Sequence, residues 1–304
     1  MDFLKSNTVP TIDFVSKMRR AIYVSIALLI IALGSLIYHG GPDWGVEFTG
    51  GTEIHIKLAN EVSIQDITKT LDSTGYPPEV VQQLGLSGDH EYLIRFSPET
   101  VKFEQIQGFQ SELEKIIATN ETFKGGSIQR VDYIGPRVGG ELIRKAVISI
   151  LLGCIGILIY VMIRFEFGFA MGAVIALVHD TIITLGAISI MDKEFTLALV
   201  AALLTVIGYS VNDTIIIFDR IRENMKKNSK LGIKDVVNLG VNLTLKRTVL
   251  TSITVFLVLI PLFLFGGSVI HDFAFTLIVG AIIGTYSSIF IASAFVVFWR
   301  QRKG

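Results

Sequence analysis

Six stretches of this 304-residue chain are apolar over nearly the length a bilayer demands of a helix, about 20 residues. They fall at roughly 19–38, 143–163, 168–190, 196–218, 248–266 and 274–298. In hydrocarbon a spanning segment must satisfy its own backbone polar groups, so such runs fold as helices. The chain is 51% hydrophobic, too apolar for an ordinary soluble protein of this size. Arg164-Phe165-Glu166-Phe167 alone joins the second run to the third, and Asp192-Lys193-Glu194 the third to the fourth, so both connections are tight hairpins. The first run follows Lys17, Arg19 and Arg20. It is long enough to span, and no small-x-small cleavage site follows Tyr38, so it reads as an uncleaved span rather than a signal peptide.

Net charge is zero, but it is unevenly spread. Residues 39–140 hold 15 Asp/Glu against 8 Lys/Arg, a net of −7. Residues 1–20, Arg164, 219–247 and the tail from Trp299 together carry 16 Lys/Arg, whereas the short connections 191–195 and 267–273 carry only Lys193. The Lys/Arg rule for short loops then makes the basic side cytoplasmic. The expected organisation is a cytoplasmic N-terminus (1–18), a first span (19–38), an external domain (39–140) and a five-helix membrane domain (141–304) with a cytoplasmic loop at 219–247. Both termini lie inside. There is no basic excess of the kind that marks a nucleic-acid binder. Cys154 is the sole cysteine, so no intrachain disulfide forms. The sequence has no Walker A loop, HExxH, GxSxG or Cys/His cluster of metal spacing. A transmembrane ion gradient is therefore the simplest energy source, and no cofactor or metal is expected.

The 39–140 segment carries its own pattern. Ile54, Ile56 and Leu58 alternate as a strand does. Ser63 is placed to cap a helix bearing Ile64, Ile67 and Leu71, with Gly75 at its end. Glu79–Leu84 is a weak strand, Gly88-Asp89 a turn, and Tyr92, Ile94 and Phe96 alternate again. Phe103, Ile106, Gln110, Leu113 and Ile117 form a helix face. Ser127–Tyr133 is a last, less regular strand. The order βαββαβ predicts a ferredoxin-like α+β layer. Its flanks are rich in glycine (Gly40-Gly41, Gly50-Gly51, Gly125-Gly126, Gly139-Gly140) and read either as turns or as hinges.

Ionisable side chains stand out at three places in the apolar runs. Asp213 lies in TVIGYSVNDTIIIFDRIREN, residues 205–224, between Val211 and Ile215. A carboxylate at a span centre costs roughly 2.5 to 3.5 kcal/mol to insert, so it faces a partner or a water path. Thr205, Tyr209 and Asp213 recur every fourth residue and share a helix face. A proton or ion site is the favoured reading, and a polar lock between helices its rival. In the third run His179 precedes Asp180, and Asp180 and Thr184 share a face. Relay member and helix lock remain open there. In the fifth run Thr244, Arg247, Thr251 and Thr254 form one stripe. Arg247 is either an inside anchor or the partner of Asp213, since the fourth span runs inward and the fifth outward. Arg220, Arg222, Lys226 and Lys227 suit contact with anionic lipid, and Val236, Val237, Leu239, Val241 and Leu243 an interfacial helix leading into the fifth span.

IGYSVNDTIIIFDRIREN (207–224), WGVEFTGG (44–51), YIGPRVGGEL (133–142), ALVHDTIITLG (176–186) and LKRTVLTS (245–252) together resemble the SecF family of bacterial protein-export membrane subunits. That family belongs to the resistance–nodulation–division superfamily. The resemblance implies a half-sized, non-enzymatic member in the bacterial cytoplasmic (inner) membrane. It would work with SecD beside the SecYEG channel and the SecA motor, on unfolded preprotein. It also implies proton coupling through an Asp on the fourth span and an Arg and a Thr on the fifth, positions held here by Asp213, Arg247 and Thr251. Asp180 joins them as a further intramembrane carboxylate. A small-molecule or lipid exporter of the superfamily is one alternative, and a purely structural translocon subunit another. Six spans are half of a superfamily transporter, so the proton path is expected to need the SecD half.

Overall fold

The apolar runs fold as long helices and the alternating stretches as strands. The computed structural model describes residues 12–84, 88, 90–101, 106–228 and 230–303. In chain order the principal elements are α1 (Met18–Tyr38), β1 (Gly51–Lys57), α2 (Ile64–Ser73), β2 (Val80–Leu84), β3 (Glu91–Phe96), α3 (Ile106–Thr119), β4 (Ser127–Ile134), α4 (Pro136–Arg164), α5 (Phe167–Ile190), α6 (Leu197–Lys227), α7 (Ile233–Phe265), α8 (Gly267–Ser287) and α9 (Ser293–Lys303). A π-helical turn, Ser288–Ala292, joins α8 to α9 into one span. Six helices among the described residues are long and apolar enough to cross a membrane. The chain divides into two units, Trp44–Ile148 and the remainder.

The Trp44–Ile148 unit is a four-stranded antiparallel sheet in the order β2-β3-β1-β4. Ile54 pairs with Ile94 and Ile56 with Tyr92, so the inward residues of the two central strands stack opposite one another. All four are essentially inaccessible to solvent. Tyr92 keeps its hydroxyl satisfied in this core: it donates to the Val62 carbonyl (2.7 Å) and accepts from the Val62 N–H (2.8 Å). Ser63 caps α2 as its sequence predicts, its Oγ accepting from the Asp66 N–H at 3.1 Å. Ile67 and Leu71 are buried, but Ile64, expected on the same face, is 43% exposed because it opens the first turn. In α3 the buried stripe is Phe109, Leu113 and Ile117; Gln110, expected on it, lies at its margin. Phe103, also expected there, lies outside the described residues, as does Asp89 of the expected turn. The irregular alternation of β4 has a cause in a register shift opposite His55/Ile56. Gly139 is required by contact, since a Cβ there would strike the Phe48 carbonyl. Gly51 has φ +125°, and a Cβ on it would meet the Phe96 carbonyl oxygen at 2.5 Å. These two flanking glycines therefore serve close packing within the unit. Expressed alone, residues 44–148 should melt in one cooperative transition with mixed helix and strand circular dichroism; a coil-like spectrum would count against a self-sufficient core.

In the membrane unit α5, α6 and α8 form the buried centre, while α4 turns Leu151, Leu152, Ile155 and Ile159 outward. With little hydrophobic drive between helices in lipid, close approach depends on small residues. Gly280 and Gly284 of α8 supply it: a Cβ at Gly280 would collide with Val206 of α6, and one at Gly284 would lie 2.9 Å from the Ser210 Cβ. At the basic end Arg164 pairs with Asp219 (2.9 Å) and Arg300 with Glu166 (2.5 Å), fastening the α4–α5 hairpin. The stretch 219–247 is helical apart from a short break: α6 runs on to Lys227, and the helix expected at 236–243 is the start of α7, which already begins at Ile233. Glu223 supports the extension by pairing with Arg220 (2.6 Å) and Lys227 (2.7 Å) one turn away on either side. Val236, Val237 and Val241 are buried in one helix continuous with the fifth span.

Candidate functional site: two intramembrane carboxylates

Asp213 sits midway along α6 and is 1% exposed. Its Oδ2 is buried without a hydrogen-bond partner among the described residues. The charge that acts on it is the Arg247 guanidinium of α7. Arg247 opens into a cleft of about 380 Å³ between α6 and α7, shared with Asp219, Arg220, Glu223 and Thr244. Ile216, one helical turn from Asp213, lines the same cleft. Toward the other end of the helix lies a line of hydroxyls. Tyr209 and Ser252 share a hydrogen bond of 3.0 Å, and Ser252 shares another of 3.0 Å with Thr285. Asp213 thus lies between a charged cleft at the basic end and a hydroxyl cluster linking α6, α7 and α8.

Sequence spacing located part of this arrangement. Tyr209 does share a face with Asp213 and joins the hydroxyl cluster, whereas Thr205 is exposed and donates to the Ala201 carbonyl. On α7 the buried polar stripe is Thr244, Thr248 and Ser252, at intervals of four. The expected stripe through Arg247, Thr251 and Thr254 lies beside it: Thr251 is half-buried and Thr254 exposed, each hydroxyl bonded to the backbone one turn back. Thr248, not singled out from sequence, keeps a buried hydroxyl oxygen without a partner among the described residues.

Asp180 has the opposite environment. It too is 1% exposed, but both oxygens are engaged. Oδ1 lies 2.8 Å from Nδ1 of His179, and Oδ2 accepts from Ser210 of α6 (2.5 Å) and Ser287 of α8 (2.6 Å). The carboxylate therefore ties three helices at one level. Gly284 of α8 leaves room for the Ser210 side chain, since a Cβ there would lie 3.3 Å from its Oγ. Ser287 is the last residue before the π-helical turn, a feature frequent at functional sites. Ser210 and Ser287 were not legible as site residues, since single serines in apolar runs carry no spacing signal.

Against known families, residues 115–302 match the model described as protein export membrane protein SecD/SecF, C-terminal. The chain belongs to the SecD/SecF family. The protein translocase subunit SecF of Calditerrivibrio nitroreducens is 42% identical over 97% of this chain and 96% of that protein. The SecF subunit of Magnetococcus marinus is 43% identical over 94% and 91%. The crystal structure of the translocon-associated membrane protein SecDF from Thermus thermophilus superposes with a TM-score of 0.87 at 36% identity, covering 96% of this chain. This chain spans 39% of that longer protein. Membership in the SecD/SecF family makes this a multi-pass membrane protein of protein translocation, and the ferredoxin-like domain between the first and second spans agrees with the SecDF fold.

Proposed function

We propose that this chain is a proton-driven accessory subunit of the Sec translocase, acting with SecD to promote preprotein export. The observation that carries the reading is the environment of Asp213: a buried carboxyl with an unpartnered oxygen, under the charge of Arg247, one turn from a polar cleft. Burial favours a neutral carboxyl and a nearby guanidinium favours a carboxylate. A helix movement that alters either therefore changes whether the proton is held. Coupling requires two such states, because one fixed geometry does no work. Entry of water through the Arg247 cleft would release the proton inward, and Tyr209, Ser252 and Thr285 would pass a proton in from the other side. Thr251, half-buried one turn beyond Arg247, lies on the face that the SecD half would complete; the single-chain SecDF relatives support that pairing. The preprotein, the SecYEG channel and SecA are the remaining partners of this reading. The decisive experiment is gradient-dependent export by reconstituted complex, wild type against Asp213→Asn.

The same reading sets both termini in the cytoplasm and residues 39–140 outside, on the strength of the Lys/Arg asymmetry. Cysteines placed singly in a Cys154→Ser background should be labelled by an impermeant reagent from outside at Gly88 and not at Lys227. The reverse pattern would overturn the topology.

A further inference from the structure

Two cavities in the membrane unit adjoin. A cleft of about 650 Å³ lies at the basic end, lined by Arg19 of α1, Lys234 and Asp235 of α7, and Asp13. Below it an almost wholly apolar groove of about 550 Å³ runs between α1, α5 and the π-turn with α9. Ile22, Ala294 and Phe298 line both, so the charged cleft borders the groove directly. The groove follows α1 as far as Leu29, with Val178 and Ile182 of α5 opposite. Arg19 to Leu29 is about 15 Å of helix, half of the roughly 30 Å hydrocarbon core.

The charged end is held in place. The Phe14 N–H donates to Asn238 Oδ1 (2.8 Å), and Asn242 both accepts from the Ile12 N–H (3.0 Å) and donates to the Ile12 carbonyl (2.8 Å). These bonds fasten the segment bearing Asp13 to α7. Hydrogen bonds from the backbone and hydroxyl of Ser16 hold the Asp13 carboxyl below its ordinary pKa, so it is ionised at neutral pH. None of Asp13, Arg19, Lys234 and Asp235 forms an ion pair among the described residues. Two cations and two carboxylates without an ion pair among the described residues thus stand at the mouth of a groove as deep as one leaflet; Arg19 also lies over the Tyr23 ring, and Asp13 accepts from the Ser16 N–H.

We propose that this cleft and groove bind one glycerophospholipid with an amine-bearing zwitterionic headgroup. Its phosphate takes the charges of Arg19 and Lys234, its ammonium those of Asp13 and Asp235, and an acyl chain fills the groove past Ala294. An anionic lipid would leave the two carboxylates facing negative charge. A lipid of the general annulus would need neither the fastened segment nor the balanced charges. The site lies on the α1, α5 and α9 face and does not include Asp213; His179, the neighbour of Asp180, is among the residues that line the groove.

The test is native mass spectrometry of the purified full-length protein, delipidated and then offered equimolar phosphatidylethanolamine and phosphatidylglycerol. Wild type should retain one phosphatidylethanolamine, preferred by about tenfold or more. The double variant Arg19→Gln/Lys234→Gln should lose that preference. Ala294→Phe, which closes the junction, should lose the bound lipid with an unchanged thermal midpoint. Equal retention of the two lipids, preference for phosphatidylglycerol, absence of any retained lipid, or wild-type retention by Ala294→Phe would each overturn the assignment.

Discussion

Asp213→Asn should reduce export in the presence of a proton gradient to the level seen without one, while the complex still assembles. The asparagine keeps the shape of the side chain and removes only its proton exchange. One charge crossing ~100 mV releases about 2.3 kcal/mol, so loss of coupling removes a bias of up to roughly 50-fold per proton. The fold should not suffer. Asp213 Oδ2 has no hydrogen-bond partner to lose among the described residues, and a neutral amide is cheaper to bury in a span than a carboxylate. The thermal midpoint of the variant should therefore equal or slightly exceed that of wild type. Arg247→Met should abolish the same stimulation by removing the charge that acts on Asp213. Asp213→Glu should keep part of it, because the acid remains at a changed reach. The measurement is translocation of a labelled preprotein into vesicles holding the reconstituted complex, with and without an imposed gradient. Normal stimulation of Asp213→Asn would remove Asp213 from the proton path.

The fold was legible where hydrophobic periodicity is strong. The six spans and the βαββαβ order both follow from runs of apolar residues and from alternation in β1 and β3, and the structure has them. What escaped was decided by neighbours. Phe109 rather than Gln110 faces the sheet, since adjacent positions straddle the edge of a helix face and packing alone selects between them. The helix at 236–243 proved to be one with the fifth span, a continuity that the burial of Val236, Val237 and Val241 supports and that the charged stretch before it does not reveal. The site was half legible. An Asp in an apolar run announces itself by its insertion cost, so Asp213 and Asp180 could be named. Their partners are hydroxyls, which helices tolerate anywhere by bonding their own backbone. Only the packing of α8 on α6, allowed by Gly280 and Gly284, shows that Ser210 and Ser287 turn toward Asp180 while Ser252 links Tyr209 to Thr285. The polar stripe of α7 was missed for a related reason. Thr251 and Thr248 are three residues apart on one helix, and sequence cannot say which of the two faces the bundle.

Asp180→Ala should do what Asp213→Asn does not: weaken the bundle itself. It removes the acceptor of the Ser210 and Ser287 hydroxyls and of the His179 contact at once. Interhelical hydrogen bonds in membranes contribute about 0.6 to 2 kcal/mol each, and those to a charged group about 1.5 to 3 kcal/mol in general. Ser287 has a second acceptor in the Gly284 carbonyl at 3.1 Å, so part of the loss is recovered there. The net cost should be about 2 to 4 kcal/mol, read as a lowered midpoint in thermal or denaturant unfolding of the purified protein. Asp180→Asn separates a helix lock from a proton carrier. The amide oxygen can still accept from both serines, and its NH2 can donate to a neutral His179 whose proton sits on Nε2. As a lock, Asn should restore most of the stability lost in Asp180→Ala and retain gradient-stimulated export. As a carrier, Asn would be as inert as Ala toward the gradient however well it packs. Ser210→Ala supplies the independent check, because it cuts one strand of the tie and leaves the carboxylate in place. It should lower the midpoint by about 1 to 3 kcal/mol equivalent with proton stimulation intact. If Asp180→Asn is stably folded yet loses all stimulation, Asp180 carries the proton, and the three-helix tie is secondary.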